Sequence, residues 1–217
     1  MGTISVNKLG GLSLALGPVI ALIGYFLQPG GMLIDAADPA DAQAVIGAML
    51  GNAGLVHLTG FLIAIGLVMM LYGFHALQGV VHEGGNGHAL IHYSVLLLLI
   101  AVIGWVLTTG LGHAIAGGNL GAAAGTFYAL TLAVGNVCGA LAGIAFLLAG
   151  LAFSTREGSN KMLALVVAIA GAAGAISAVI GGMDSSQLET MNMIGGITYI
   201  VVTIWAITLG MGMMKQE

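Results

Sequence analysis

Six histidines, His57, His75, His82, His88, His92 and His113, are the side chains of this sequence whose type and spacing invite chemistry, and all six fall between positions 57 and 113. Imidazole is the commonest metal ligand and the group that titrates nearest neutrality. His57 and His75 are 18 positions apart, five turns at 3.6 residues each, so they share a helix face. His92 and His113 fall at the two ends of the next long apolar segment. Two antiparallel helices would then carry a histidine pair at each end, His57 with His113 and His75 with His92. Bis-imidazole ligation by these four would hold two b-type hemes, one near each end. Two physical points weigh against heme: 18 residues rise about 27 Å, which sets the pairs at the membrane edges, and consecutive helices pack about 8–10 Å apart, too close for a porphyrin between them.

A second metal reading uses His75, His82, His88 and His92. His75 and His82 are i, i+7, and His88 and His92 are i, i+4, so each pair can share a helix face. Together with Glu83 they offer a donor set for Zn, Cu or Ni. A third draws on Met32, Met49, Met183, Met191 and Met193 with His57 and His113 as soft ligands for copper; methionine is also an adaptable filler of apolar packing. The competing reading of all six histidines is interfacial: polar residues at helix ends, hydrogen-bonded to backbone or water. Cys138 stands alone in an apolar segment, without a disulfide partner. Apolar surroundings keep a thiol protonated, and it reads as a small packing residue.

The elements that must position these groups follow from composition. Of 217 residues, 59% are hydrophobic and 6% charged, against about 25% charged in ordinary globular chains. The expected fold class is an all-α integral membrane protein, a single domain over 1–217 built as a six-transmembrane-helix bundle. The spans are approximately 10–27, 53–80, 89–115, 122–153, 162–182 and 190–213, each near the roughly 20 residues that cross a bilayer. None holds an Asp, Glu, Lys or Arg in its interior.

Lys8, Arg156, Lys161 and Lys215 are the only Lys and Arg, and with six spans all four fall on one side. The opposite loops carry Asp35, Asp38, Asp41, Asp184 and Glu189. The positive-inside rule makes both termini cytoplasmic, in a multi-pass protein of a bacterial or archaeal cytoplasmic membrane. Within the first outer loop, Asp38 before Pro39 predicts a short interfacial helix over 40–50. Ser186 and Glu189 have capping-box spacing into the last span, Gly84, Gly85, Asn86 and Gly87 predict a tight turn over 82–88, and Pro18 predicts a kink in span one.

Glycine, with 37 copies, is placed as membrane helices use it, for close backbone approach. Gly135, Gly139 and Gly143 form a double G-x-x-x-G. Ala170, Gly174, Ala178 and Gly182 make a second stripe, and Ser13, Gly17 and Ala21 a third. Tight internal packing, a homo-oligomer interface and the wall of a permeation path are all consistent with such stripes. Spans one-two and five-six look loosely alike, as in a weak internal repeat or through shared membrane composition.

The stretch Gly54-Leu55-Val56-His57-Leu58, continuing to Leu71-Tyr72-Gly73-Phe74-His75-Ala76-Leu77, resembles the second span of small bacterial six-span membrane proteins of uncharacterised function. The resemblance implies no activity and no site residue. In outline the four-histidine arrangement is also similar to two-heme membrane cytochromes, without their motifs.

Several classes are excluded or weakened. No basic patch exists to neutralise phosphates, so nucleic acid is not a partner. No phosphate loop, nucleophile elbow, H-E-x-x-H or Cys pair is present. No span carries the Lys a retinal Schiff base needs or the carboxylate usual in proton-coupled carriers. Three expectations remain: an accessory or self-associating subunit of a membrane complex, which asks least of the residues; a histidine-ligated heme or metal redox protein; and a channel or carrier for a neutral or apolar solute. The bilayer is the expected surroundings in each, with a homo-oligomer or membrane-complex partner in the first.

Overall fold

The structure, a computed structural model, describes residues 4–81, 87–156 and 160–215. Among these the secondary structure is helical, apart from one isolated bridge between Pro29 and Ile34. Seven α-helices follow one another: α1 Val6–Phe26, α2 Ala42–Gly51, α3 Ala53–Val80, α4 His88–Ala116, α5 Ala124–Ser154, α6 Lys161–Met183 and α7 Leu188–Met214. All but α2 are long and apolar enough to cross a membrane. Their outward faces are apolar too: Phe61 on α3, Ile103 on α4, Ile169 on α6 and Ile197 on α7 are all more than half exposed, the surface lipid would cover.

Local chemistry sets the helix ends, and in three places shifts them from expectation. Ser5 caps α1 by accepting from the Lys8 amide at 3.1 Å, so α1 begins four residues before the apolar run. Asp41, rather than Asp38, caps α2, accepting from Gln43 and Ala44 at 3.1 Å; Asp38 instead closes the preceding turn on the Ala40 amide. The capping box expected of Ser186 and Glu189 does not form. Asp184 takes both the Ser186 amide (3.0 Å) and its hydroxyl (2.7 Å), because an ionised carboxylate is the stronger acceptor. Ser185–Gln187 becomes a short 3-10 turn and α7 starts at Leu188. The predicted turn over 82–88 lies mostly outside the described residues; Gly87, with φ +84°, begins α4 in the left-handed region that glycine tolerates. Pro18 sits inside α1, which runs through it.

The six long helices form a closed antiparallel ring in the order α1, α3, α4, α5, α6, α7 and back to α1. Lys8, Arg156, Lys161 and Lys215 therefore collect at one end, the basic end, and the five loop carboxylates at the other, the acidic end. Glycine faces clasp the ring. A Cβ on Gly17 would come within 2.5 Å of the Met70 nitrogen and 2.7 Å of the Gly66 oxygen, and one on Gly11 within 2.6 Å of the Gly210 oxygen. Without side chains at these crossings, backbones meet directly, the contact that drives helix association where no hydrophobic force operates. Gly104 likewise leaves room for the Cys138 sulfur, which is buried as a packing residue should be.

The same geometry occurs twice. The α1–α3 contact puts Gly17 against Met70 and Gly66, and the α5–α6 contact puts Gly143 against Ala175 and Gly171. One turn-pair further along, Gly24 faces Thr59 and Ile63 while Gly150 faces Ala164 and Ala168. A single shift, 17 to 143 and 24 to 150, maps α1 onto α5. Another, 66 to 171 and 63 to 168, maps α3 onto α6. The repeated unit is thus spans one-two against four-five, not five-six. The resemblance in sequence of the last two spans to the first two came from shared glycine and methionine content; register, which decides contacts, selects the other pair.

Candidate functional site

The ring has no helix at its centre, and its two halves are filled differently. Toward the basic end, Phe74 of α3, Phe146 and Phe153 of α5 and Trp205 of α7 pack ring to ring, with centroids 5.5–6.2 Å apart. All four are buried. Toward the acidic end the ring encloses a cavity of about 930 Å³, at the upper end of the roughly 300–1,000 Å³ usual for small-molecule sites. Its floor is made by Leu67, Trp105, Phe146 and Tyr199, and its mouth is marked by the exposed carboxylates Asp38 and Glu189.

The loop 28–39 and α2 form the roof. Val45 and Met49 of α2 pack with Val56, Ile115 and Tyr128 in a second apolar cluster. Tyr128 ties the roof down by donating from its hydroxyl to the Pro39 carbonyl at 2.8 Å. Asn52 donates to the Asp35 carboxylate at 2.6 Å, bracing Asp35 in the left-handed conformation at φ 43°.

Most hydroxyls of the wall are already spent as donors. Thr108, Thr109, Thr131 and Ser177 line the cavity and donate to carbonyls of their own helices at 2.7–3.0 Å. Thr198 donates across to the Ala170 carbonyl at 3.0 Å, and Tyr199 to the Met70 sulfur at 3.5 Å. A hydroxyl has one hydrogen and two lone pairs. With the hydrogen committed to the protein, what remains for a guest is the acceptor oxygen. Gln28, Asn136 and Asn192 add amides, Tyr25 and Thr190 two further hydroxyls, and among the described residues no Lys, Arg or His lines the space. The cavity is therefore an apolar chamber with five hydroxyls held as acceptors, a few amides, and negative charge at its mouth.

The histidines are distributed differently from the paired expectation. His57 and His113 do meet, Nδ1 to Nδ1 at 3.1 Å, with Phe61 edge-on to His113 at 4.9 Å. Gly60 provides the room for that ring. This is a hydrogen-bonded pair, one ring donating to the other. Two in-line metal–nitrogen bonds would need about 4 Å between the nitrogens, so the two rings as placed do not fit trans ligation of a heme iron. At the basic end, Gln78 takes the place assigned to His75: its amide donates to the His92 ring at 2.6 Å. His92 also lies against His88, centroids 4.3 Å apart and rings tilted by 55°, and His88 Nδ1 donates to the Val81 carbonyl at 2.8 Å. His75 is exposed on α3. His82 lies outside the described residues. Among the described residues no three His, Cys, Asp or Glu side chains come together in metal-holding geometry.

None of the described histidines lines the cavity. Gly135, Gly139, Gly143, Gly174 and Ala178 of the small-residue stripes do line it, as do Met32, Met49, Met191 and Met193; the hydroxyls beside them give no signal in the sequence, because threonine and serine are unremarkable in apolar helices. One signal was available: Asn136 is an amide in the interior of a span, where an unpaired polar group is costly. Searches against protein-family models, curated proteins and solved structures find no match to this chain.

Proposed function

We propose that this chain is an integral membrane protein, with both termini on the cytoplasmic side, that holds a small solute in the cavity at its acidic, outward-facing end. The solute is uncharged or cationic, has an apolar body, and carries N–H or O–H donors. The single observation behind this reading is the cavity itself: an apolar chamber of about 930 Å³ in which Thr108, Thr109, Thr131, Ser177 and Thr198 have their hydroxyl hydrogens committed, no Lys or Arg is present among the described residues, and Asp38 and Glu189 stand at the mouth. The committed hydroxyls accept hydrogen bonds, and the carboxylates at the mouth repel anions. The orientation rests on all four Lys and Arg lying at one end.

The glycine stripes, which also suit self-association, meet neighbours within the chain at Gly17 and Gly143, and Gly135 opens on the cavity.

A matched set of probes tests the reading: octylguanidinium, 1,2-octanediol and octanoate, one cationic donor, one neutral donor and one anion on similar chains. Purified protein in detergent should be stabilised against heat by the first two and not by octanoate. Gly135 lines the cavity and a Cβ there meets nothing within 4 Å, so Gly135→Leu should fill the space and abolish the shift. Equal stabilisation by octanoate, or an undiminished shift in Gly135→Leu, would refute the proposal.

A further inference from the structure

We infer that the protein is an alternating-access carrier built from two inverted three-helix halves, α1-α3-α4 and α5-α6-α7, with a latent cavity at the basic end that mirrors the open one. This inference rests on the cavity being a solute site. Three observations carry it.

First, the two glycine clasps match contact for contact. Gly17 meets the backbone at 66 and 70, Gly143 at 171 and 175. From the other side, Gly66 meets 17 and 21, and Gly171 meets 143 and 147. Each half begins with such a clasp and adds a third helix, and α4 and α7 then join the halves by packing on α5 and α1. Second, the halves run in opposite directions. α1 goes from the basic to the acidic end and α5 the reverse, as an odd number of spans per half requires. Repeats of this inverted kind relate two faces of a membrane, and rocking of one against the other moves access from side to side around a fixed site. Third, the filling is asymmetric: a cavity at the acidic end, the packed rings of Phe74, Phe153 and Trp205 at the basic end. A symmetric frame with asymmetric filling has a second arrangement of the same contacts, in which the two ends exchange roles.

The shifts that map the clasps identify the latent wall. Gly139 and Ser177 line the open cavity, and their counterparts are Ser13 on α1 and Tyr72 on α3. Ser13 is 5% exposed, sealed between helices in the present arrangement. In the alternative one it faces the basic end, the Phe153–Trp205 contact parts, and the acidic mouth closes. The clasps themselves, backbone against backbone, stay intact and move as rigid units.

The experiment uses the double variant Ser13→Cys/Ser177→Cys in proteoliposomes, with Cys138→Ala removing the native thiol and membrane-impermeant maleimides applied from each side. Ser177→Cys should label from the acidic side and Ser13→Cys, more slowly, from the basic side. A bulky adduct on Ser177→Cys should hold the acidic end open and lower the basic-side labelling rate of Ser13→Cys at least about tenfold, because the two accessible states exclude each other. Wild-type vesicles provide a readout free of variants: those preloaded with unlabelled octylguanidinium should accumulate the labelled compound transiently by exchange. Labelling of Ser13→Cys that ignores the Ser177 adduct overturns the inference, as does downhill flux without exchange, the behaviour of a pore. If octylguanidinium shields Ser177→Cys yet Ser13→Cys never labels and no exchange occurs, alternation is refuted while the cavity remains a binding site. If octylguanidinium neither shields Ser177→Cys nor exchanges, the binding reading fails first and the carrier falls with it.

Discussion

Gly143→Ala is the substitution whose effect can be worked most directly from the geometry. The added Cβ would lie 2.7 Å from the Gly171 carbonyl oxygen and meet the Ala175 amide nitrogen still more closely. Ordinary contact begins near 3.4 Å, so α5 and α6 must part by at least about 0.7 Å at their tightest crossing. Forcing a methyl into packed surroundings costs about 1–3 kcal/mol. Gly135→Ala is the control: the same change on the same helix, at a position where a Cβ meets nothing within 4 Å. Alanine's advantage in helix propensity, up to about 1 kcal/mol, is shared by both variants and cancels in their difference. Gly143→Ala should therefore unfold more readily than Gly135→Ala by about 1–3 kcal/mol. Equilibrium unfolding in mixed detergent–SDS micelles, followed by far-ultraviolet circular dichroism, measures that difference. Two variants of equal stability would mean that the backbones do not touch at Gly143, and the α5–α6 crossing would be wrong at that point.

Gly17→Ala should behave as Gly143→Ala does, within about 1 kcal/mol, because the mapped clasp presents it with the same two backbone groups; the same micelle titration compares them. Truncating Trp205→Ala removes the ring that Phe74 and Phe153 pack against, and a loss of about 3–5 kcal/mol is expected, together with a solute leak through the basic half measurable in vesicles. Either His57→Leu or His113→Leu breaks the 3.1 Å pair and should cost about 1 kcal/mol. The double variant should be no worse than the sum of the singles, and octylguanidinium binding should be unchanged, since neither ring lines the cavity. Asp38→Asn with Glu189→Gln should weaken binding of octylguanidinium and flatten its salt dependence, while leaving 1,2-octanediol untouched. Titration at low and high ionic strength separates the two, because exposed charges are screened.

The helices were legible in the sequence because length and apolarity report directly on a bilayer-spanning segment. Five of the six expected spans end within two residues of the helices, and α1 departs only because Ser5 supplies a cap before the apolar run. The glycine stripes were legible as contact faces for the same reason, small residues at fixed spacing. Which face meets which was not: Gly143 reads identically whether it awaits α6 or a second copy of the chain. The cavity was the least legible feature, since it is made by what six helices fail to fill. Thr131 and Ser177 acquire meaning only when a closed ring turns them toward one space. The histidines misled in the opposite direction. Their spacing puts one histidine at each end of both helices, and His57 does meet His113, but spacing alone does not say which neighbour fills the room, and at the other end Gln78 lies against His92.

The ring has a consequence for the chain as a covalent object. α1 and α7 pack side by side through Gly11 and Gly210, and the start of α1 and the end of α7 both lie at the basic end. A closed ring has no first member: the connection from α7 to α1 is one more antiparallel neighbour contact, which happens to lack a peptide link. Joining Lys215 to Ser5 through a short flexible segment and cutting the chain between α5 and α6, also at the basic end, would leave every helix with the same two neighbours. The permuted protein should insert and close as the original does, with the order of synthesis changed and the architecture kept.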